Sequence, residues 1–422
     1  MSDHANYVQR LGRDARAAAS ALSAVNGRQR DDALLAIARR LRTERDTLLQ
    51  ANAKDVAAAE AGGLAKAMVE RLRLNEKRID VMAASVEAIA KQVDPVGRTI
   101  EAYNRPDGLR IEKRRVPIGV ILFFYESRPN VTSDAAALCL KSGNAVILRG
   151  GKEAVHSNAA IAAMIAAGLA EAGLPAAAVQ VVENTDRAIV PLLLKSDRYI
   201  DLVIPRGGES LIRAVVADAT MPVLKHFTGN CHLYLDAAVE GIEQQAVDIC
   251  VNAKTSYPGG GVCNAVEHIL VHRDSAAKLL TPLCEALMAK GVEVRGDETV
   301  RAAWSKAVAT TDADWPEEYL AFVVGIKVVD SIDQAIDHIN QYGSHHTDGI
   351  VSTSLRAIDA FTTRVDSASV MVNASTRLAD GGEYLLGAEI GISTDKLHAR
   401  GPMGATDLTT YKWIVTGNGH LR

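Results

Sequence analysis

Cys263 closes the stretch Asn252-Ala253-Lys254-Thr255-Ser256-Tyr257-Pro258-Gly259-Gly260-Gly261-Val262-Cys263-Asn264, a glycine-rich loop that runs into an apolar segment. Nucleophiles are commonly held on loops carried by a rigid scaffold. A thiolate attacks activated carbonyls well, and a glycine-rich approach leaves backbone N–H groups free beside the reacting oxygen. Residue type and spacing leave a second reading open, a small cysteine packed in a turn. Cys139, Cys250 and Cys284 lie within helical apolar patterns and read as core. Cys231 fits either role.

Three further stretches carry chemistry. Tyr125-Glu126-Ser127-Arg128-Pro129-Asn130-Val131 follows an apolar run. The Asn130 amide there suits a donor to a developing oxyanion, or else a turn before a helix. Leu148-Arg149-Gly150-Gly151-Lys152 ends the next apolar run. Dinucleotide sites place a ribose-contacting group at a strand end, acidic for a free 2′-hydroxyl and basic for a 2′-phosphate. Here the group is basic, and a solvated turn is the alternative. In Pro205-Arg206-Gly207-Gly208-Glu209, the glycines would let a pyrophosphate approach a helix N-terminus. The G-x-G-x-x-G fingerprint is absent. His345-His346 invites a metal reading, but no carboxylate–histidine spacing accompanies it. The pair reads as a polar loop, and no metal is expected. No serine and acid constellation of a hydrolase is recognisable.

These residues need a scaffold, and the hydrophobic pattern supplies one. From about 7 to 90 the chain reads as helices, with apolar residues at helical spacing and an Ala-, Arg- and Glu-rich composition. Tyr103-Asn104-Arg105-Pro106-Asp107-Gly108 is a turn cluster between alternating patterns, which predicts a hairpin over 99–115. Strands at 118–125, 145–148, 179–182 and 202–204 then alternate with helices, including 133–141 and 157–172. That alternation predicts a parallel sheet covered on both faces, with ligands at the carboxyl ends of its strands. A second α/β block, about 239–371, has helices at 242–253, 276–289 and 332–341 and strands at 268–271, 323–329 and 349–352. The glycine-rich remainder ends in the strand-like Thr409-Thr410-Tyr411-Lys412-Trp413-Ile414-Val415.

The 422 residues suggest two or three domains. The formal charge of −4, from 47 basic and 51 acidic residues, gives no broad basic field, so nucleic acid is not an expected partner. Five cysteines without a C-x-x-C spacing argue against a secreted disulfide framework and for a reducing cytoplasm. The first residues show no signal-peptide pattern. The apolar run 118–125 falls well short of the ~20 residues that span a membrane.

Taken in order, four groups of residues closely resemble the γ-glutamyl phosphate reductase family of the aldehyde dehydrogenase superfamily. They are Glu126-Ser127-Arg128-Pro129-Asn130-Val131; Asn252-Ala253-Lys254-Thr255 with Cys263-Asn264; Gly387-Ala388-Glu389-Ile390-Gly391-Ile392-Ser393-Thr394; and Lys396-Leu397-His398-Ala399-Arg400-Gly401-Pro402-Met403-Gly404. The resemblance covers essentially the whole chain. It implies an α/β, aldehyde dehydrogenase-like fold. A parallel-sheet dinucleotide-binding domain would comprise 1–98, 117–238 and 373–407, an α/β catalytic domain 239–372, and a β oligomerisation flap 99–116 with 408–422. Cys263 would be the nucleophile, and Asn130 the oxyanion amide working with the Cys263 N–H. The cofactor would be NADP(H), with Arg149, Gly150 and Lys152 near its ribose, Gly207 and Gly208 at its phosphates, and Glu389 at the nicotinamide-side ribose.

The implied reaction is NADPH-dependent reduction of L-glutamyl 5-phosphate to L-glutamate 5-semialdehyde and phosphate, through a thioester, as the second step of proline biosynthesis. Lys254, Arg128, Ser375 and Arg377 are the candidate substrate contacts. A homo-oligomer, dimer or tetramer, and association with glutamate 5-kinase are further expectations, with no membrane partner. In aldehyde-oxidising relatives a Glu before a Gly-Gly pair activates the deacylating water. The corresponding stretch here is His226-Phe227-Thr228-Gly229. Residues 259–261 depart from the family's spacing and read as a short insertion.

Overall fold

The computed structural model describes residues 3–422. Helices Asp3–Leu22, Gly27–Thr43, Arg45–Ala61, Lys66–Leu72 and Glu76–Ala90 open the chain. Asn26 and Asn75 start two of them, their side chains accepting from the N–H groups of Gln29 at 2.9 Å and Arg78 at 2.8 Å. The helical spacing of Ala33, Leu34, Ile37, Ala38 and Leu41 buries one stripe against the first sheet's core.

That first sheet is parallel, in the order Val179–Val181, Ala145–Arg149, Val120–Tyr125, Leu202–Arg206. The chain moves outward through the first three in reverse of that order, then returns to the other side of Val120–Tyr125. The reversal opens a crevice at the carboxyl edge, where α/β sheets take their ligands. Register brings the motifs to that edge: Phe124 lies opposite Arg149, and Tyr125 opposite Arg206. One difference from expectation affects Asn130. The helix after the first strand begins at Pro129, a residue suited to the first helical turn, so Asn130 lies inside the helix and not in the turn before it.

The second sheet has seven strands, parallel throughout: Val308–Ala309, Glu293–Gly296, Val323–Val329, Val266–His272, Cys231–Leu235, Thr347–Val351 and Ser369–Val372. Both faces are buried. Leu233 and Leu235 join one core cluster and Tyr234 the other, as the two-residue side-chain period requires. Cys231–Leu235 lies upstream of the boundary expected at 239, so this sheet begins earlier than the sequence pattern indicates. Segment 373–407 leaves the second sheet and returns Ile390, Ala399, Met403 and Ala405 to the first core.

Thr99–Asn104, Arg110–Pro117 and Thr409–Thr416 form a separate antiparallel sheet that leaves Tyr103, Tyr411 and Trp413 exposed. Among the described residues one helical stretch, Lys152–Glu171, is long and apolar enough to cross a membrane. Here it packs Ile161, Met164, Ile165 and Leu169 into the first core.

Candidate active site

Cys263 sits just before the strand Val266–His272, at the amino edge of the second sheet, facing the carboxyl edge of the first. Its loop is pinned on several sides. Gly259 and Gly260 adopt left-handed φ values of 75° and 69°, which their lack of a side chain permits. The Asn264 amide donates to the Ala379 carbonyl at 3.0 Å. The Cys231 thiol, fully buried, donates to the Cys263 carbonyl at 3.1 Å. Gly229 approaches so closely that a Cβ there would lie 1.9 Å from the Cys263 carbonyl oxygen.

Cys263 opens into a cavity of about 790 Å³ between the two sheets. Arg128, Arg206, Gly207, Gly208, His226, Glu318 and Glu389 also line it. Burial, reinforced by the Glu389 carboxylate, pushes the Cys263 thiol up to about 12, with Arg206 and the Cys263 N–H acting the other way. The resting sulfur is therefore a thiol. Burial likewise raises Glu389, which Arg206 faces at 3.7 Å, and Glu318, whose carboxylate accepts from the Gly229 N–H at 2.8 Å.

Two imidazoles stand beside this thiol, His226 and His346. One ring nitrogen of His226, one of His346 and the Cys263 sulfur all lie within 4.8 Å of one another. The His226 Nδ1 is 2.9 Å from the Ile392 carbonyl. A carbonyl only accepts, so Nδ1 carries the proton and Nε2 keeps a free lone pair. Burial lowers the His226 pKa and holds the ring neutral.

A second cavity of about 530 Å³ adjoins at Tyr125, between helices Ile189–Leu194 and Glu209–Asp218. Val190, Pro191, Leu211 and Ala214 make it apolar, while Arg149 and Arg187 border it. Burial and then the Arg187 charge lower the Arg149 pKa. Neither arginine has an ion-pair partner among the described residues. Two guanidiniums beside an apolar slot suit a flat heterocycle carrying an anionic group. A Cβ at Gly208 would meet no atom within 4 Å, and the Gly208 N–H donates to the Glu126 carboxylate at 3.0 Å. The start of helix Glu209–Asp218 thus already attracts an anionic group. The residues present fit a dinucleotide.

The structure brings Cys263, Arg128, Gly207, Gly208 and Glu389 to one cavity and Arg149 to the adjoining one. Gly150 borders a third, smaller cavity, and Lys152 is exposed outside all three. Asn130 is not brought in: it is exposed, and its amide donates to Asp134 at 3.2 Å. Lys254 is fully buried and 2.6 Å from Glu267, because a cation without solvent needs an opposite charge. Ser375 caps a short turn by accepting from the Arg377 N–H at 3.3 Å, and Arg377 donates to Ser256 at 3.3 Å. Neither lines the large cavity.

Arg206 is a site residue that the sequence pattern does not single out, although it adjoins the glycines of its own motif. Arg187 and Glu318 stand in loops with no motif. His346 corrects the polar-loop reading of the His345-His346 pair, for its ring is wholly buried.

Two facing α/β units with a cysteine between them define an aldehyde dehydrogenase scaffold, and residues 2–302 match the aldehyde dehydrogenase family. The chain is 50% identical over 415 residues to the gamma-glutamyl phosphate reductase of Moorella thermoacetica, across 98% of each. The crystal structure of gamma-glutamyl phosphate reductase from Thermotoga maritima superposes with a TM-score of 0.95 at 44% identity, covering 98% of this chain and 99% of that one. The Saccharomyces cerevisiae gamma-glutamyl phosphate reductase gives 0.55 at 30% identity, over 100% and 99%. The chain belongs to the aldehyde dehydrogenase family, in its gamma-glutamyl phosphate reductase branch.

Proposed function

We propose that the chain reduces L-glutamyl 5-phosphate to L-glutamate 5-semialdehyde and phosphate with NADPH, the second step of proline biosynthesis. The observation that carries this reading is the cavity itself. It sets a cysteine and a neutral imidazole beside Arg128 and Arg206, next to a slot bordered by two unpaired arginines. The names of the relatives point to the same substrate.

Cys263 attacks the acyl carbon as its proton passes to His226 Nε2. The C–O bond to phosphate breaks, and a thioester remains on Cys263. Arg128 and Arg206 offset the charge of the departing phosphate. NADPH, held by the residues of the slot, would supply the hydride for reduction of the thioester carbonyl. The resulting thiohemiacetal takes a proton as it forms, then collapses to the aldehyde and returns the thiol. The Cys263 N–H is the oxyanion donor in place, a contribution of ~3 kcal/mol. A role for Asn130 requires its amide to leave Asp134. Arg149, with Arg187 beside it, would hold the 2′-phosphate, and Gly207 and Gly208 the pyrophosphate. In the same reading the exposed Tyr411 and Trp413 face of the three-stranded sheet joins copies of the chain into a homo-oligomer.

The test runs the reaction backward. Glutamate 5-semialdehyde and NADP are mixed with the protein, with and without phosphate. At most one turnover per site without phosphate, and sustained turnover with it, is the expected result. Sustained conversion to glutamate without phosphate would instead make the chain an aldehyde oxidiser.

A further inference from the structure

We propose that Cys263, His226 and His346 form a binding site for a thiophilic divalent cation of the zinc class, which holds the sulfur as a metal thiolate and silences it. The site itself is independent of the proposed reaction; only its inhibitory consequence rests on Cys263 being the nucleophile.

The donor set comes first. One sulfur and two imidazole nitrogens lie within 4.8 Å of one another, with no carboxylate among them. Thiolate and imidazole are the ligands of zinc, and oxygen donors those of magnesium and calcium. Bonds of about 2.0–2.3 Å to a tetrahedral zinc place its ligands roughly 3.3–3.7 Å apart. The 4.8 Å limit on their separations leaves a closure of at most about 1.5 Å. Cys263 and His226 both face open cavity space, which gives them room to make it.

The second observation is independent of that spacing. His346 is wholly buried, yet its Nε2 has no hydrogen-bond partner. Its Nδ1 is occupied, 2.9 Å from the Thr347 hydroxyl and 3.8 Å from the Cys231 sulfur. His232, His268 and His338 also carry an unpaired buried nitrogen, but of these four rings His346 alone belongs to a group with a thiol and a second imidazole, and that conjunction points to a missing ligand. The His226 and His346 rings meet edge to face at 5.3 Å between centroids.

The outer contacts agree. A metal-bound histidine commonly donates its other N–H to a backbone carbonyl, which orients the ring. His226 does so toward Ile392. Both imidazoles are neutral, since burial lowers His226 and pushes His346 down to about 3, so protons do not compete for the nitrogens. On binding, the Cys263 S–H bond breaks, the metal–sulfur bond forms and the proton leaves to solvent. No oxidation state changes. Three protein ligands leave a fourth position facing the cavity for water.

The experiment titrates the full-length protein with Co2+, then displaces it with Zn2+. A near-ultraviolet thiolate-to-cobalt band at one equivalent is expected, bleached by Zn2+ and untouched by Mg2+ or Ca2+. Cys263→Ser should abolish the band, and His346→Gln should weaken cobalt binding at least a hundredfold. His346→Gln should keep the parental turnover in metal-free buffer and resist Zn2+, whereas the parent is inhibited and recovers with EDTA. Should His346→Gln prove misfolded by circular dichroism, His226→Asn gives the same cobalt readout. Absence of the band in the parent, or a band of undiminished affinity in folded histidine variants, overturns the proposal. Neither result depends on which substrate the enzyme uses.

Discussion

Gly229→Ala tests whether the nucleophile is positioned by backbone contact. The new Cβ would lie 1.9 Å from the Cys263 carbonyl oxygen, 2.4 Å from its Cα and 2.5 Å from its carbonyl carbon. Ordinary contact begins at 3.4 Å, so a separation of about 1.5 Å must be found. No flexible side chain stands at this contact, because backbone meets backbone. The Gly229 side is held by Glu318, and the Cys263 side by Cys231 and by Asn264 through Ala379. Cys263 therefore moves by about an ångström. A misplacement of that size at a reacting centre costs about a hundredfold in rate, or ~2.7 kcal/mol of barrier. Overpacking should cost a further ~1–3 kcal/mol of stability. The assay compares kcat/KM for phosphate-dependent semialdehyde oxidation with urea unfolding and NADP binding. Gly208→Ala is the control, since its Cβ has open space, and it should unfold with the parent while weakening NADP binding. A Gly229→Ala enzyme within about threefold of the parental kcat/KM refutes the argument that this contact sets the sulfur's position.

Two more outcomes follow from charges. Arg149→Ala should lower the NADP-over-NAD preference in kcat/KM roughly tenfold to 150-fold, the equivalent of ~1.5–3 kcal/mol, with Arg187 keeping the loss toward the low end; an unchanged ratio would remove Arg149 from the 2′-phosphate. Burial opposes ionisation of Asp314, but the Arg295 guanidinium at 2.8 Å, the Thr311 N–H and hydroxyl and the Tyr319 hydroxyl outweigh it and hold the carboxyl well below its usual range. A depressed carboxyl stabilises the fold above about pH 4 and loses that contribution as pH falls further. Asp314→Asn should therefore cost ~1–2 kcal/mol in urea unfolding at pH 7, discounted because Arg295 is 33% exposed, and the gap to the parent should narrow progressively as pH falls below about 4. A gap that stays constant with pH would show that packing, not charge, is at stake.

What the sequence discloses is local. The glycines around Cys263 are needed by the loop's own φ values and close approaches, so they stand beside the residue they serve. The first sheet is legible because three of its four strands are short apolar runs buried on both faces, each ending in its own motif. Cys231–Leu235 escapes the pattern because His232 interrupts its apolar run, and only the fold pairs that buried ring with Asp348 at 3.2 Å. Lys254, a basic residue of the motif Asn252-Ala253-Lys254-Thr255, reads as a candidate contact for an anionic substrate. Its partner is Glu267, and the helix Glu243–Thr255 directs Lys254 into the interior.

The histidine pair shows why such information is tertiary. His345, at a left-handed φ of 60°, turns to the Asp366 carbonyl at 2.6 Å and stays partly exposed. His346, the next residue, ends the bend just before strand Thr347–Val351 and is wholly buried beside Cys231 and His226. His226 comes from the segment that joins the two sheets, Cys231 from the strand that lies between Thr347–Val351 and Val266–His272, and Cys263 from the loop before Val266–His272. Adjacent residues of one type thus acquire opposite environments. The one without a hydrogen-bond partner lies where a sulfur and a second imidazole already converge, a coincidence that only the packing of the second sheet could create.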